Sequence, residues 1–262
     1  MDRSLLYAIG DVHGRADLLA DLLQAIEDHA AQAGRTHRIY FLGDIIDRGP
    51  DSRACLDLVR DTLARSPTSR LILGNHDDYL LSFFDGKSFK ESWFQLWMNQ
   101  GGRETLLSYG VDPSNPKVAR KSLRERFGHH HRMLTLASIM EYDDDFVFVH
   151  AGIDPSRSLE KQTRSDCLTI RRRFLEHVGP LGHIVVHGHT IQSPPRAVAT
   201  ENRISLDTGA YSSGTLTALV IDRQARTLET LSTQPDGRVL SGSPVRLDRG
   251  LGTVLDGFAE AA

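Results

Sequence analysis

Cysteine is scarce in this chain of 262 residues: there are two, Cys55 and Cys167. Both fall in segments that read as helical. Two thiols in a chain this long cannot form a disulfide framework, so a reduced cytoplasmic protein is the simplest reading. Long hydrophobic runs are missing too. None approaches the roughly 20 residues that a membrane-spanning helix needs. Met1-Asp2-Arg3-Ser4 leads straight into a predicted strand and lacks the layout of a secretory leader. Neither sign of charge dominates. Lys and Arg number 31 against 34 Asp and Glu, for a net charge of -3 with the His taken as neutral. This balance gives no reason to expect a nucleic-acid or membrane partner. Basic residues cluster only locally, at Lys117 to Arg126 and Arg171 to Arg173. Internal repeats, low-complexity tracts and interdomain linkers are absent, so 1–262 reads as a single domain.

Hydrophobic residues make up 40% of the chain, enough for a sizeable core. Leu5 to Ile9 is a short apolar run that reads as a buried strand. Ala16 to Ala33 reads as a helix with Leu18, Leu19, Leu22, Leu23 and Ile26 in its apolar stripe and Gly34 at its end. A strand over Arg38 to Leu42, a helix over Asp51 to Arg65 and a strand over Leu71 to Leu73 continue the alternation. Repeated strand–helix units predict an α/β architecture.

The segment from Tyr79 to Met140 breaks the rhythm. It contains both tryptophans, Trp93 and Trp97, and reads as a mostly helical insertion with helices near 90–99, 102–109 and 116–127. Strands resume at Phe146 to Val149, Ile184 to Val186 and Ile204 to Leu206. Thr215 to Ile221 and Thr227 to Ser232 alternate like an antiparallel pair. Pro235-Asp236-Gly237 is a turn signal. The tail after Ser241 shows little pattern.

Five short blocks carry the chemistry, and each follows a predicted strand. They are Gly10-Asp11-Val12-His13-Gly14, Gly43-Asp44-Ile45-Ile46-Asp47-Arg48-Gly49-Pro50, Gly74-Asn75-His76-Asp77, His150-Ala151-Gly152 and His187-Gly188-His189-Thr190. Strand C-terminal ends are where α/β sheets open their crevices, so distant blocks can meet there. Asp11 and His13, two apart in extended chain, point the same way and can share a metal. Asp44, directly after its strand, is placed to bridge two cations. Asp47 projects elsewhere, beside Arg48, whose planar fork suits phosphate oxygens. Asn75 and His76 are neighbours at a turn, so their side chains diverge. Asn75 can offer its amide oxygen to a metal while His76 faces the substrate as a general acid. A carboxylate such as Asp47 would fix its tautomer and favour the imidazolium. Asp77 and Asp78 read as caps of the next helix. His150 stands at a strand end as a ligand candidate. Spacing alone leaves His187 and His189 both open as ligands. His129-His130-His131 fans over several sides of a helix and is not expected to bind metal. Trp93 and Trp97 are expected to pack the insertion onto the core.

Together these blocks resemble the phosphoprotein phosphatase (PPP) branch of the calcineurin-like metallophosphoesterases, of the bacterial and bacteriophage lambda type. The resemblance covers Gly10 to about Gly209. It implies a four-layer α/β/β/α sandwich with a dimetal centre at one edge. Carried over by position, Asp11, His13 and Asp44 hold one metal, and Asp44, Asn75, His150 and His189 the other. His189, directly before Thr190, takes the ligand role and leaves His187 a supporting one. His76 is the acid and Asp47 its partner; Arg48 binds phosphate, with Asn75 close to it. A second phosphate arginine is expected after His150. Arg171 fits best, although the family's preceding Trp is absent and Arg172 and Arg173 are rivals. The cofactors implied are two divalent metals, Mn(II) by analogy with bacterial relatives, with Fe or Zn also suited to mixed O/N ligation.

The expected activity is hydrolysis of phosphomonoesters by in-line attack of a metal-activated water, as in serine/threonine or dual-specificity protein phosphatases. The substrate would be a phosphorylated protein or a small phosphate ester. The alternative is a diadenosine tetraphosphate hydrolase, against which the intact Asp47-Arg48-Gly49 counts. A non-catalytic metal-binding module is the remaining reading. Substrate preference is expected to lie in the 79–140 insertion, so truncating it should alter preference more than turnover.

Overall fold

The computed structural model describes residues 4–86 and 90–242. Eleven strands form two sheets among these residues. In the first, β1 (Leu5–Ile9), β2 (His37–Phe41) and β3 (Arg70–Leu71) run parallel. The antiparallel strands β9 (Thr217–Asp222), β10 (Thr227–Thr233) and β11 (Val239–Gly242) continue it beyond β1. In the second, β5 (Phe146–Val149), β6 (Ile184–His187) and β8 (Arg203–Ser205) run parallel. It is flanked by antiparallel β4 (Met140–Asp143) and β7 (Val198–Ala199).

Strand β1 shows why the sheets stack. All five of its residues are buried. Leu5, Tyr7 and Ile9 pack towards α1 (Ala16–Gln32) and α2 (Ser52–Arg65). Leu6 and Ala8 face the other way, onto Phe146, Phe148, Ile184 and Val186 of the second sheet. Beyond that sheet, Val149 and Val185 pack with Cys167 of α7 (Arg164–Thr169) and Phe174 of α8 (Arg172–Leu175). Helix, sheet, sheet and helix thus form four layers, and the expected sandwich is the observed one. Each fully buried Leu or Ile contributes roughly 1.5–3 kcal/mol to such packing.

The insertion is helical, as expected, but its joints differ. Helix α3 (Asn75–Asp85) starts directly at Asn75, so Asn75 and His76 lie in its first turn and not in a free turn. Next, α4 (Glu91–Trp97) runs through a π-helical turn, Met98–Gly102, into α5 (Arg103–Ser108). Then α6 (Pro116–Thr135) passes the predicted end at 127, where Phe127 is merely kinked, and carries His129 to His131. Strand β11 follows the predicted turn at Pro235-Asp236-Gly237. The patternless tail beyond Gly242 lies outside the described residues. Both cysteines are free and buried in helices. No helix of the described residues is long and apolar enough to cross a membrane.

Candidate dimetal site

The parallel strands β1, β2 and β3 of one sheet and β5, β6 and β8 of the other end at one place. Every block lies at such an end, in a loop or, for Asn75 to Asp77, in the first turn of α3, and the loops are tightly wound. Of the seven described non-glycine residues with positive φ, five are His13, Asp44, Asp47, Arg48 and His189. Such conformations cost about 1–3 kcal/mol each and persist when their surroundings dictate them. Here the backbone amides of Val12 and His13 donate to the Asp44 carbonyl, at 3.1 and 2.9 Å. The carboxylates are held by amides as well. Asp44 accepts from the His76 N–H at 2.8 Å, and Asp11 from the His189 N–H at 3.1 Å. Gly188 makes room for Asp11: a Cβ at this position would overlap Asp11 Oδ1.

The ring nitrogens show where cations fit. His150 donates its Nδ1–H to the Leu42 carbonyl at 2.9 Å, so the neutral ring has a bare Nε2. This Nε2 lies 2.9 Å from Asn75 Oδ1, 3.1 Å from His189 Nδ1 and 3.4 Å from Asp44 Oδ2. Ligands about 2.1 Å from a shared cation stand about 3–3.5 Å apart, which is this spacing. His189 Nε2 is buried without a hydrogen-bond partner. Similarly, His13 donates Nδ1–H to the Ile46 carbonyl at 2.8 Å. Its Nε2 stands 3.6 Å from Asp44 Oδ2 and 4.0 Å from Asp11 Oδ2. Acceptors converging without a donor call for positive charge, and Asp44 belongs to both groups.

Electrostatics agree. Burial pushes His13 and His189 down to about 3, leaving neutral rings with lone pairs to offer. Burial would also lower His150, but Asp44 and Asp11 overcome it and raise the group to about 10, so without a cation the ring itself takes up the positive charge that the carboxylates demand, and a bound cation would displace that proton from Nε2. Burial, then the charge of Asp207, holds Asp11 well above the usual carboxylate range. Against burial, the imidazoles of His150, His76 and His13 keep Asp44 well below it. The residues present fit two divalent cations.

Beside this centre, His76 Nδ1 contacts Asp47 Oδ2 at 2.7 Å, and Arg48 Nη2 lies 3.3 Å from His76 Nε2. Burial opposes protonation of His76, but Asp44 and Asp47 outweigh it and raise its pKa. The three consecutive arginines separate clearly. Arg172 pairs with Glu176 and Arg173 with Asp154. Arg171 lacks such a partner among the described residues and lies near enough to His189 to lower it further.

Other expectations resolve individually. Both ring nitrogens of His187 have partners, the Gly188 carbonyl at 2.9 Å and Ser205 Oγ at 2.7 Å. His130 is buried between the Tyr109 hydroxyl, at 2.7 Å, and Asp57, at 3.2 Å. His131 pairs with Asp85. Asp57, His129 and His130 do converge closely enough to be metal ligands, contrary to the reading of a simple fan. Tyr109 and Asp57 already satisfy both ring nitrogens of His130. Asp77 accepts from the Gly74 and Ile45 amides, at 3.1 and 3.0 Å, and so ties the start of α3 to the Asp44 loop.

Sequence reasoning missed several neighbours. Buried Asp207 follows β8 and accepts from the Gly209 amide at 2.9 Å. Its Asp207-Thr208-Gly209 is one more strand-end block, which was a usable signal. The Tyr211 ring stands edge-on to His13 at 5.5 Å, with the Arg48 guanidinium over it at 4.8 Å. Trp97 does pack into the core, and its Nε1 also donates to Asp47, joined there by the Thr105 hydroxyl. No local pattern announces those two bonds.

A two-sheet sandwich with these acceptor groups at its strand ends is the framework of a metal-dependent phosphoesterase. The family model for calcineurin-like phosphoesterases matches residues 5–199, and the chain belongs to that family. Among curated relatives, a symmetrical bis(5'-nucleosyl)-tetraphosphatase of Cellvibrio japonicus is 30% identical over 155 residues. That match takes in 59% of this chain and 47% of the relative, so the chain spans about half of that relative's length. The asymmetrical bis(5'-nucleosyl)-tetraphosphatase PrpE of Oceanobacillus iheyensis is 29% identical over 229 residues, 80% of this chain and 86% of the relative. Among solved structures, a cold-active protein-tyrosine phosphatase from a Shewanella species has a TM-score of 0.56 at 15% identity. It is matched over 92% of this chain and 80% of its own. A Saccharomyces cerevisiae protein serine/threonine phosphatase has a TM-score of 0.51 at 14% identity, over 95% and 82%. Identities this low show the fold alone.

Proposed function

We propose that the chain hydrolyses bis(5'-nucleosyl) tetraphosphates at a centre of two divalent metals, with Mn(II) as the working metal. One observation carries the choice of substrate: the PrpE relative is matched along 86% of its own length. In this reading Asp11, His13 and Asp44 would hold one cation, and Asp44, Asn75, His150 and His189 the other. Bound there, the cations would supply an activated water and draw charge from the phosphoryl group. Arg48 and Arg171 bind phosphate oxygens and stabilise them as charge redistributes, with the Asn75 amide beside them. His76 delivers a proton from Nε2 to the departing oxygen, and Asp47 holds its Nδ1–H. Water adds to one phosphorus as one phosphoanhydride P–O bond breaks. An asymmetrical cut of diadenosine tetraphosphate yields AMP and ATP; a symmetrical cut yields two ADP.

A second reading, the phosphomonoesterase of protein-phosphatase type, is favoured by the intact acid pair. An alkoxide leaving from phosphoserine needs a proton far more than a departing nucleotide phosphate does. The test sets diadenosine tetraphosphate beside a phosphopeptide, with Mn(II) and after chelation. Metal-dependent AMP and ATP, with an inert phosphopeptide, are expected. Phosphate from the phosphopeptide alone would move the assignment to the second reading.

A further inference from the structure

Asp47 is surrounded by donors from the insertion. Trp97 Nε1 donates to its two carboxylate oxygens at 3.1 and 2.9 Å. The Thr105 hydroxyl donates to Oδ1 at 2.6 Å. The Asp47 backbone N–H in turn donates to Thr105 Oγ1 and Ser52 Oγ, each at 3.0 Å. Only then does Oδ2 meet His76 Nδ1, at 2.7 Å. Asp47, Trp97 and Thr105 are fully buried and His76 is 2% exposed, so water cannot replace a missing donor. The same segment supports the backbone beneath. Gly101, at φ 107°, lies so close to Arg48 that a Cβ would overlap the Arg48 nitrogen. Asp47 and Arg48 both have positive φ, at 72° and 70°, on the turn that Gly101 covers.

We infer that Trp97 and Thr105 are positioning residues for the Asp47–His76 pair, and that the insertion serves proton delivery through them. Neither is placed to touch substrate. Together they fix both carboxylate oxygens, and so fix the ring whose Nε2 faces the phosphate held by Arg48. The inference rests on His76 being the acid of the proposed reaction.

The test uses the full chain and three variants, Thr105→Val, Thr105→Ser and Trp97→Phe, with His76→Asn as reference. Two small aryl phosphates serve under Mn(II) as surrogate reporters of leaving-group protonation, independent of the native substrate, with the His76 Nδ1–H resonance deciding where their turnover is too slow to measure: p-nitrophenyl phosphate, whose leaving group needs little protonation, and phenyl phosphate, whose leaving group needs more. Thr105→Val and Trp97→Phe should lower kcat on phenyl phosphate about ten times more than on p-nitrophenyl phosphate, with KM within about twofold. Thr105→Ser keeps the hydroxyl and should restore most of the difference. A second readout is the hydrogen-bonded His76 Nδ1–H proton resonance in the metal-free protein. It should move in Thr105→Val and Trp97→Phe and stay in place in Thr105→Ser. Equal loss on both esters with an unmoved resonance would overturn the inference and leave packing as the role. If removing the indole prevents folding, the near-isosteric Thr105→Val decides alone. Should His76→Asn show no leaving-group dependence, the acid assignment fails by itself, while the resonance still tests the positioning.

Discussion

The half of the site proposed to bind metal and the half proposed to deliver the proton are built differently. The side chains of Asp11, His13, Asp44 and His150 are held by backbone amides and carbonyls at the strand ends, and Asn75 and His189 meet them through His150 Nε2. Asp44 accepts from an amide, and His13 and His150 donate to carbonyls. The acid half depends on side chains from far along the chain. Trp97 and Thr105 reach Asp47 across 50 and 58 positions of sequence. Both halves are joined over long stretches of sequence, since His150 reaches the Leu42 carbonyl across 108 positions and the His189 amide reaches Asp11 across 178. The difference lies in what does the holding: backbone groups, which every residue supplies, in the first half, and particular side chains in the second. Damage to the first half should therefore remove the metals, and damage to the second should spare them.

The largest effect should come from Asp44→Ala. Asp44 faces both acceptor groups, so its loss opens both cation positions at once. Activity should fall at least about 1,000-fold. Metal analysis of the dialysed protein should find fewer than two equivalents per chain, and a chelator should inactivate the parent protein similarly. Two retained equivalents would break the comparison, because the bridging position would then not be Asp44. His76→Asn is its counterpart in the acid half. It should reduce kcat on phenyl phosphate by about 10²–10⁴-fold while keeping both metals. A non-catalytic metal protein would have no such activity to lose.

A smaller effect separates the arginines. Hydrogen bonds to a charged group contribute about 1.5–3 kcal/mol, so Arg171→Ala should raise KM about 10- to 100-fold. Arg172 already binds Glu176 and Arg173 binds Asp154. Their alanine variants should change KM by less than about threefold. Steady-state kinetics on one substrate decides this, and the reverse ranking would return the phosphate role to a neighbour.

The residues that converge around Asp44 were legible in the sequence almost completely, because each candidate ligand, its glycine and the preceding strand are contiguous there. Asp207 was the exception: its block follows a strand and contains a glycine as the His150 block does, but a single Asp beside Thr208 resembles an ordinary turn, and its side chain does bond the Gly209 amide. The acid pair was also readable from Asp47 and His76. Its anchoring was not, because a tryptophan four residues from another on a helix looks like packing whether or not its N–H meets a carboxylate. Against the expectation that truncating 79–140 changes preference more than turnover, the contacts predict a general loss. Phe94, Trp97 and Leu106 are buried in the same core as Leu22, Ile45 and Leu56 outside the insertion, and Trp97 holds Asp47. Losing them should impair every substrate.

The smallest effect concerns how the insertion is tied down at its far end. His130 of α6 meets the Tyr109 hydroxyl and Asp57 of α2. Burial first, and then the charge of His129, pushes His130 down to about 4, although Asp57 opposes the shift. The unfolded chain, with an ordinary histidine near 6.5, binds more protons than the folded one between those values. Stability from this group is therefore full above about 6.5 and lost as pH falls towards 4. His130→Gln should flatten the dependence of Tm on pH in that window by about 2–4 °C, the equivalent of about 1 kcal/mol in a chain of this size. Both metals should remain bound at neutral pH, since His130 takes no part in the acceptor groups around Asp44. An unchanged slope would mean that the ring is already charged in the folded protein and bridges Asp57 as an ion pair. The insertion would then be anchored by charge at its far end and by neutral hydrogen-bond donors at Asp47.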